Sequence, residues 1–176
     1  APQWLVKPTD VNALDRRLWS DTVDRGAGGV LTIGGLTAEQ IVEQTGSPVY
    51  VIDELDFRGR ALSWREAFAG WKVYYAAKSF LCATVARWIS EEGLNLDVSS
   101  HGELMVALRA GFDPARLALH GNNKSDEVLR LALTSGVGRI VVDSSDEIGR
   151  LERLTAELGV RASVLIRVTT GVEAHT

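Results

Sequence analysis

The sequence predicts an α/β fold: a (β/α)8 barrel of the TIM type, with about five of its eight strand–helix units present. Five apolar, strand-like runs begin near Val73, Leu94, Leu117, Ile140 and Val164, at spacings of 21, 23, 23 and 24 residues. Each gap holds one helical pattern, which is typical of a parallel sheet built from repeated strand–helix units. The runs are almost continuously apolar, as parallel strands covered on both faces should be. The near-constant unit length favours a barrel over an open sheet.

The first 47 residues form the least regular part of the chain and are predicted to be an extended N-terminal arm. Trp4 and Trp19 are its expected docking anchors. The glycine-rich stretch Gly26–Gly29 is not expected to bind phosphate, because no strand precedes it and no helical pattern follows directly. Thr37 is suited to cap a short helix that continues to Gln44.

Residues 48–176 are predicted to form the partial barrel domain. The domain opens with an expected strand over Pro48–Ile52, and Asp53 is a suitable N-cap for a helix that runs to Phe68. The later helices are expected over residues 80–92, 102–110, 126–135 and 145–158.

Capping residues support these helices. Ser100 and Ser144 are each followed three residues later by a glutamate, which is the pattern of a capping box. Glycines stand where a left-handed residue would end each helix: Gly93, Gly111, Gly136 and Gly159.

The composition excludes several classes of protein. The 176 residues carry a net charge of −4, so a nucleic-acid partner is not expected. The single cysteine, Cys82, rules out an intramolecular disulfide and a cysteine-rich zinc site, and no metal site is predicted. No apolar run is long enough to span a membrane, and the N-terminus lacks the features of a secretory signal. A cytoplasmic protein is therefore predicted.

Lys78 is the strongest candidate for a catalytic residue. It follows the strand-like stretch that begins at Val73 and precedes a helical pattern. Burial at the end of a strand would disfavour the charged amine, and a neutral amine can form a Schiff base with a carbonyl. This points to pyridoxal 5′-phosphate as the cofactor. A lysine that reaches the solvent from a strand end is the alternative interpretation.

Polar residues also follow the other strands, and the active site of a barrel lies at the carboxyl ends of its strands. Asp97 could bind cofactor or accept backbone N–H groups of the next loop. His120 could serve the site or be a satisfied core histidine, and Asn122 follows it. Asp143-Ser144 is expected to act mainly as a helix cap. Arg167 lies in an otherwise apolar strand, where a buried guanidinium needs an anion or a cluster of acceptors.

Several of these stretches together resemble the diaminopimelate decarboxylases, in particular the actinobacterial type. The resemblance covers most of residues 36–176. It rests on the following segments: Tyr74–Cys82, Gly93–Leu104, Leu119–Lys124, Ile140–Ser144, Val164–Val168 and Glu173–Thr176.

The resemblance implies an alanine-racemase-like barrel that binds pyridoxal phosphate, with a C-terminal β domain that is absent from this sequence. It implies decarboxylation of the amino acid meso-2,6-diaminopimelate to L-lysine, the last step of lysine biosynthesis, by a homodimer. Lys78 would form the internal aldimine with the cofactor. Asp97, His120, Asn122 and Arg167 would line the cofactor pocket.

The chain is expected to be part of a longer protein and to be inactive alone, because the family's remaining site residues have no counterpart in it. Two other functions stay open. One is decarboxylation of another basic amino acid, as in ornithine or arginine decarboxylases. The other is a barrel that binds pyridoxal phosphate without turnover.

Overall fold

A computed structural model describes residues 2, 9–10 and 12–171 of the chain. Trp4 and the segment 173–176 lie outside the described residues. The chain divides into two compact units, Ala1–Leu62 and Ser63–Thr176, and each is described by itself. Within the described ranges no helix has the length and apolar character needed to cross a membrane.

The first unit contains a small antiparallel sheet, with strands β1 (Asp24–Arg25), β2 (Leu31–Ile33) and β3 (Leu36–Thr37) in that order. The prediction of an extended arm is therefore wrong from Asp24 onward. A 3-10 turn at Ala27–Gly29 joins β1 to β2. A two-residue strand does precede this glycine-rich stretch, contrary to expectation, but no α-helix follows it directly.

Two helices begin in the first unit. Helix α1 (Ala38–Thr45) starts at the predicted cap, because the Thr37 side chain accepts a hydrogen bond from the Gln40 amide and the Gln40 side chain accepts one from Thr37. Helix α2 (Glu54–Ala67) begins after Asp53, whose carboxylate accepts the amides of Leu55 and Asp56. The strand predicted over Pro48–Ile52 is not formed.

The second unit is the parallel sheet that the sequence predicts. Its five strands are neighbours in chain order, and every pair is parallel. The strands and the helices between them are β4 (Tyr74–Ala76), α3 (Ala83–Glu91), β5 (Asn95–Val98), α4 (His101–Arg109), β6 (Leu117–Leu119), α5 (Asp126–Ser135), β7 (Arg139–Val142), α6 (Ser145–Leu158) and β8 (Val164–Ile166).

The core of this unit lies around its central strands. All of β6 is buried, and alternate residues of β5 and β7 are buried. Strand β4 is half-buried and β8 is exposed along its length. The expectation that strands are covered on both faces therefore holds for β6, is met fully on only one face of β5 and β7, and fails at β8.

The helix caps of the second unit fix the loops at the carboxyl edge of the sheet. The Ser100–Glu103 capping box is confirmed in both directions. Ser144 also caps its helix by accepting the Glu147 amide, but the Glu147 carboxylate accepts the amide of Asp143 instead of that of Ser144. Because all five strands are parallel, their following loops lie at one edge of the sheet.

Candidate cofactor-binding site

Lys78 lies in a 3-10 turn (Ala77–Ser79) immediately after β4. Two hydrogen bonds hold the backbone around this turn. The Ser79 hydroxyl donates to the Ala76 carbonyl at 2.7 Å, and the Tyr75 hydroxyl donates to the Phe80 carbonyl at 2.8 Å. Lys78 is exposed, so the predicted burial of this lysine is wrong. The sequence argument located the residue correctly, at the carboxyl edge of the sheet, but not its environment.

Asp97, in β5, is aligned with Ala76 of β4 and Ala118 of β6. Its side chain is only 26% exposed, and its Oδ1 atom is buried without a hydrogen-bond partner in the part of the chain that the structure describes. Burial raises the pKa of Asp97 above its ordinary value. The neighbouring Glu103 carboxylate raises this pKa further, whereas His120 and Lys78 lower it.

The alternative role for Asp97, as an acceptor of backbone N–H groups from the next loop, is wrong. The Glu103 carboxylate takes that role, because it accepts the amides of Ser99 at 2.7 Å and Ser100 at 3.1 Å. The buried oxygen of Asp97 is therefore left without a hydrogen-bond donor among the described residues.

His120 follows β6 and faces Asp97. Its Nε2 atom is 3.6 Å from Asp97 Oδ1, which is an ion-pair distance but too long for a hydrogen bond. Its side chain is 48% exposed, so the alternative of a core histidine is wrong. Asn122 is also exposed, two residues further along the same loop. Lys78, Asp97 and His120 thus follow or belong to three adjacent strands and form one group of ionisable side chains.

Arg167 follows the end of β8, and its side chain is 70% exposed, so the predicted burial of its guanidinium group is wrong. Its backbone amide donates to the Val142 carbonyl at 2.9 Å, and its Nη1 atom donates to Asp143 Oδ1 at 3.1 Å. The expected anionic partner is therefore Asp143. Ser144, which follows Asp143 in the sequence, caps helix α6.

A buried ion pair at the same edge was not predicted. Lys124 and Glu147 are 4% and 3% exposed, and Lys124 Nζ lies 2.8 Å from Glu147 Oε1. Lys124 stands in a polar stretch that looks like an ordinary solvated loop, and Glu147 was explained as part of a capping box. No local sequence pattern indicates that the two would meet. Across the described segments no cluster of three or more His, Cys, Asp or Glu side chains could hold a metal ion.

Comparison with known proteins identifies the family. The model of the pyridoxal-dependent decarboxylases, in their pyridoxal binding domain, matches residues 55–176. The chain belongs to this family. Family membership establishes the (β/α) barrel architecture and pyridoxal phosphate as the cofactor, as the sequence predicted.

The curated relatives of this decarboxylase-family chain include diaminopimelate decarboxylases. That of Mycobacterium tuberculosis is 52% identical over 160 residues, which are 90% of this chain and 36% of the relative. That of Bacillus subtilis is 49% identical over 152 residues, which are 84% of this chain and 35% of the relative. The chain thus spans little more than a third of the length of these relatives.

Solved structures agree with the fold. The diaminopimelate decarboxylase of M. jannaschii superimposes with a TM-score of 0.77 at 26% identity, over 88% of this chain and 37% of that one. A lysine/ornithine decarboxylase from Vibrio vulnificus, solved with putrescine, gives a TM-score of 0.63 at 27% identity, over 76% of this chain and 37% of that one.

Proposed function

We propose that the protein to which this chain contributes decarboxylates meso-2,6-diaminopimelate to L-lysine, with pyridoxal phosphate held by Lys78. The observation that carries the proposal is the group of ionisable side chains formed by Lys78, Asp97 and His120 at the carboxyl edge of the sheet. The names of the curated relatives support the choice of substrate. One structure of a diaminopimelate decarboxylase, that of M. jannaschii, was solved with L-lysine.

The residues present fit the cofactor. An exposed primary amine, Lys78, stands beside a carboxylate whose buried oxygen has no hydrogen-bond partner among the residues described. A buried acceptor without a partner costs about 1–3 kcal/mol, so it favours binding of a group that brings a donor. Arg167 adds a cationic group, which favours an anionic ligand such as a phosphate ester, and His120 adds an imidazole. Asn122 adds an exposed side-chain amide on the same loop as His120.

Three residues of the site each have a distinct proposed task. Lys78 would hold the cofactor through its amine and release it when a substrate amine takes its place. Asp97 would orient the bound group through its buried oxygen, and His120 would balance the charge of Asp97 from the other side. When bound, pyridoxal phosphate supplies the electron sink for the electrons of the broken carbon–carboxylate bond.

We also propose a cytoplasmic homodimer in which Arg167 and Asn122 line the same pocket. The single cysteine is compatible with a reducing compartment. The exposed strand β8 leaves apolar side chains that further protein could cover. Sedimentation of the complete protein tests the dimer, and a monomer at micromolar concentration would contradict it.

Decarboxylation of another basic amino acid is the second candidate. The similarity to the V. vulnificus lysine/ornithine decarboxylase favours it, although that similarity is lower in both TM-score and coverage than the similarity to the M. jannaschii enzyme.

Borohydride trapping tests the cofactor site in the chain itself. The protein is mixed with pyridoxal phosphate, reduced and digested, and the modified lysine is found by mass spectrometry. We expect selective labelling of Lys78. Lys72, an exposed lysine of the same unit, is the internal control. Equal labelling of Lys72 and Lys78 would contradict the site.

A chimera tests the reaction. Residues 1–176 replace the matching part of the M. tuberculosis relative, and carbon dioxide release is measured with meso-diaminopimelate, ornithine and arginine. We expect turnover of diaminopimelate that a Lys78→Ala substitution abolishes. Because the chimera takes its remaining site residues from the relative, the complete protein that contains this chain is assayed with the same three amino acids, and turnover of ornithine or arginine alone by it would support the second candidate. Labelling of Lys78 without any turnover would support a barrel that only binds cofactor.

A further inference from the structure

The buried pair Lys124–Glu147 lies at the same edge of the sheet as the candidate site. In the described contacts it touches none of Lys78, Asp97 or His120. Lys124 Nζ meets three oxygen atoms: the carbonyls of Gly121 and Val141, the second at 2.9 Å, and Glu147 Oε1 at 2.8 Å. The contact with Oε1 is an ion pair whose angle falls short of hydrogen-bond geometry. Two hydrogen bonds to backbone carbonyls and one ion pair therefore surround the ammonium group.

Glu147 extends the connection to the next loop. Its Oε2 atom accepts the amide of Asp143 at 3.0 Å. Arg150 of the same helix donates to the Lys124 carbonyl at 2.6 Å. Helix α6 therefore holds two loops at once, the one that follows β6 and the one that follows β7. These two loops carry His120, Asn122 and Asp143.

The contacts of the pair are directional, and this matters for its role. An apolar pair of similar volume often stabilises a fold as well as a buried ion pair does. An apolar pair cannot, however, fix the carbonyl of Gly121 or the amide of Asp143. Gly121 directly follows His120, whose ring lies 3.6 Å from Asp97, and Asp143 pairs with Arg167. The directional contacts thus set the backbone beside two of the proposed site residues.

We propose that Lys124 and Glu147 are positioning residues for the cofactor site, a role that rests on the proposed function. They anchor the β6 and β7 loops so that His120 stays against Asp97 and Asp143 stays against Arg167. Loss of the pair's directional contacts loosens these loops while the sheet remains folded.

The test compares three variants of the chain. Lys124→Met/Glu147→Leu replaces the pair by apolar side chains. Glu147→Gln removes the charge but keeps an acceptor for the Asp143 amide. Arg130→Met/Glu157→Leu removes an exposed ion pair between α5 and α6 and is the matched control. The readouts are the thermal unfolding midpoint, hydrogen–deuterium exchange, and borohydride trapping of pyridoxal phosphate at Lys78.

We expect the apolar double variant to unfold at about the temperature of the control. Its amide exchange should rise in residues 120–123 and at Asp143 but not in β5 or β6. Trapping at Lys78 should fall about ten-fold, the size of effect that outer supporting residues have at other sites. Glu147→Gln should recover part of the trapping. A purely structural pair would instead lower the unfolding temperature and raise exchange throughout the unit.

A folded double variant with wild-type exchange in residues 120–123 and wild-type trapping would overturn the proposal. So would an equal loss of trapping in the Arg130→Met/Glu157→Leu control. If the double variant does not fold, Glu147→Gln decides: raised exchange confined to the two loops supports positioning, and unchanged exchange overturns it. If neither the wild-type chain nor the complete protein is labelled at Lys78, the proposed function fails, while the exchange data still judge the pair.

Discussion

A Gly121→Ala substitution should destabilise the protein more than any other single-methyl change at a positive-φ glycine of the second unit. Gly121 has a φ of +106°, which an L side chain rarely adopts. A Cβ atom there would lie 2.9 Å from the Ser99 carbonyl oxygen, which belongs to the backbone and cannot rotate away. Backbone strain and this close approach act together.

The magnitude follows from a comparison with Gly136. Gly136 has a φ of +76°, and an added Cβ there would meet no atom within 4 Å. Gly136→Ala should therefore cost only the backbone strain, about 1–2 kcal/mol. Gly121→Ala adds a displacement of the strand ends and should cost about 3 kcal/mol in total. The expected difference between the two variants is thus about 1–2 kcal/mol.

Urea unfolding of both variants gives the free energies, and borohydride trapping reports on the site. Only Gly121→Ala should lower pyridoxal phosphate labelling of Lys78, because only Gly121 lies next to His120. Equal destabilisation by the two substitutions would refute the reasoning from the Ser99 contact. Unchanged labelling in a destabilised Gly121→Ala protein would show that the backbone at Gly121 does not position His120.

Three further outcomes are expected. In urea unfolding, the Asp97→Asn variant should be more stable than the wild type at about pH 7 but not at about pH 4. Burial raises the pKa of Asp97 in the folded state, so the contribution of this carboxyl group to stability falls as the pH rises through that pKa. A wild-type protein that is the more stable one at neutral pH would contradict this. Ser100→Ala should lower the free energy of unfolding by about 1 kcal/mol, because the amide of Glu103 loses its cap. No change, measured against Ser163→Ala at an exposed serine, would argue against the cap. Arg167→Ala should change stability by less than about 1 kcal/mol, because its ion pair with Asp143 is exposed; a larger loss in the same assay would point to burial of this arginine.

The regular part of the fold was predictable because its signals are local. Helix α5 begins and ends where the sequence predicts, after Ser125 and before Gly136, since a cap and a left-handed glycine act on neighbouring residues. The parallel sheet followed from the repeat of such units. The small sheet at residues 24–37 was missed because strands of two or three residues carry no periodic signal.

Burial was the less predictable property, because it depends on residues distant in sequence. Lys78 and Arg167 were expected to be buried from the apolar residues before them, yet both follow the last residue of a strand and reach solvent. Lys124 is preceded by three polar or small residues and is almost fully buried, because Glu147, 23 positions away, supplies its counter-charge. The position at the sheet edge was predictable for all three residues, but whether each side chain is buried was not.

Two of the carboxylates at this edge, Glu147 and Asp97, differ in the contacts that surround their buried oxygens. Glu147 is the more buried of the two, and its oxygens meet a lysine ammonium and a backbone amide. Asp97 has one buried oxygen that no donor reaches among the described residues, and its pKa is raised by that burial. Each carboxylate thus has one buried oxygen without a hydrogen bond among the described residues, but that of Glu147 lies 2.8 Å from the Lys124 ammonium, whereas that of Asp97 lies 3.6 Å from the His120 ring. Under the proposed function, we interpret the Asp97 oxygen as an acceptor for a bound ligand, since its carboxylate lies in the same group of side chains as Lys78.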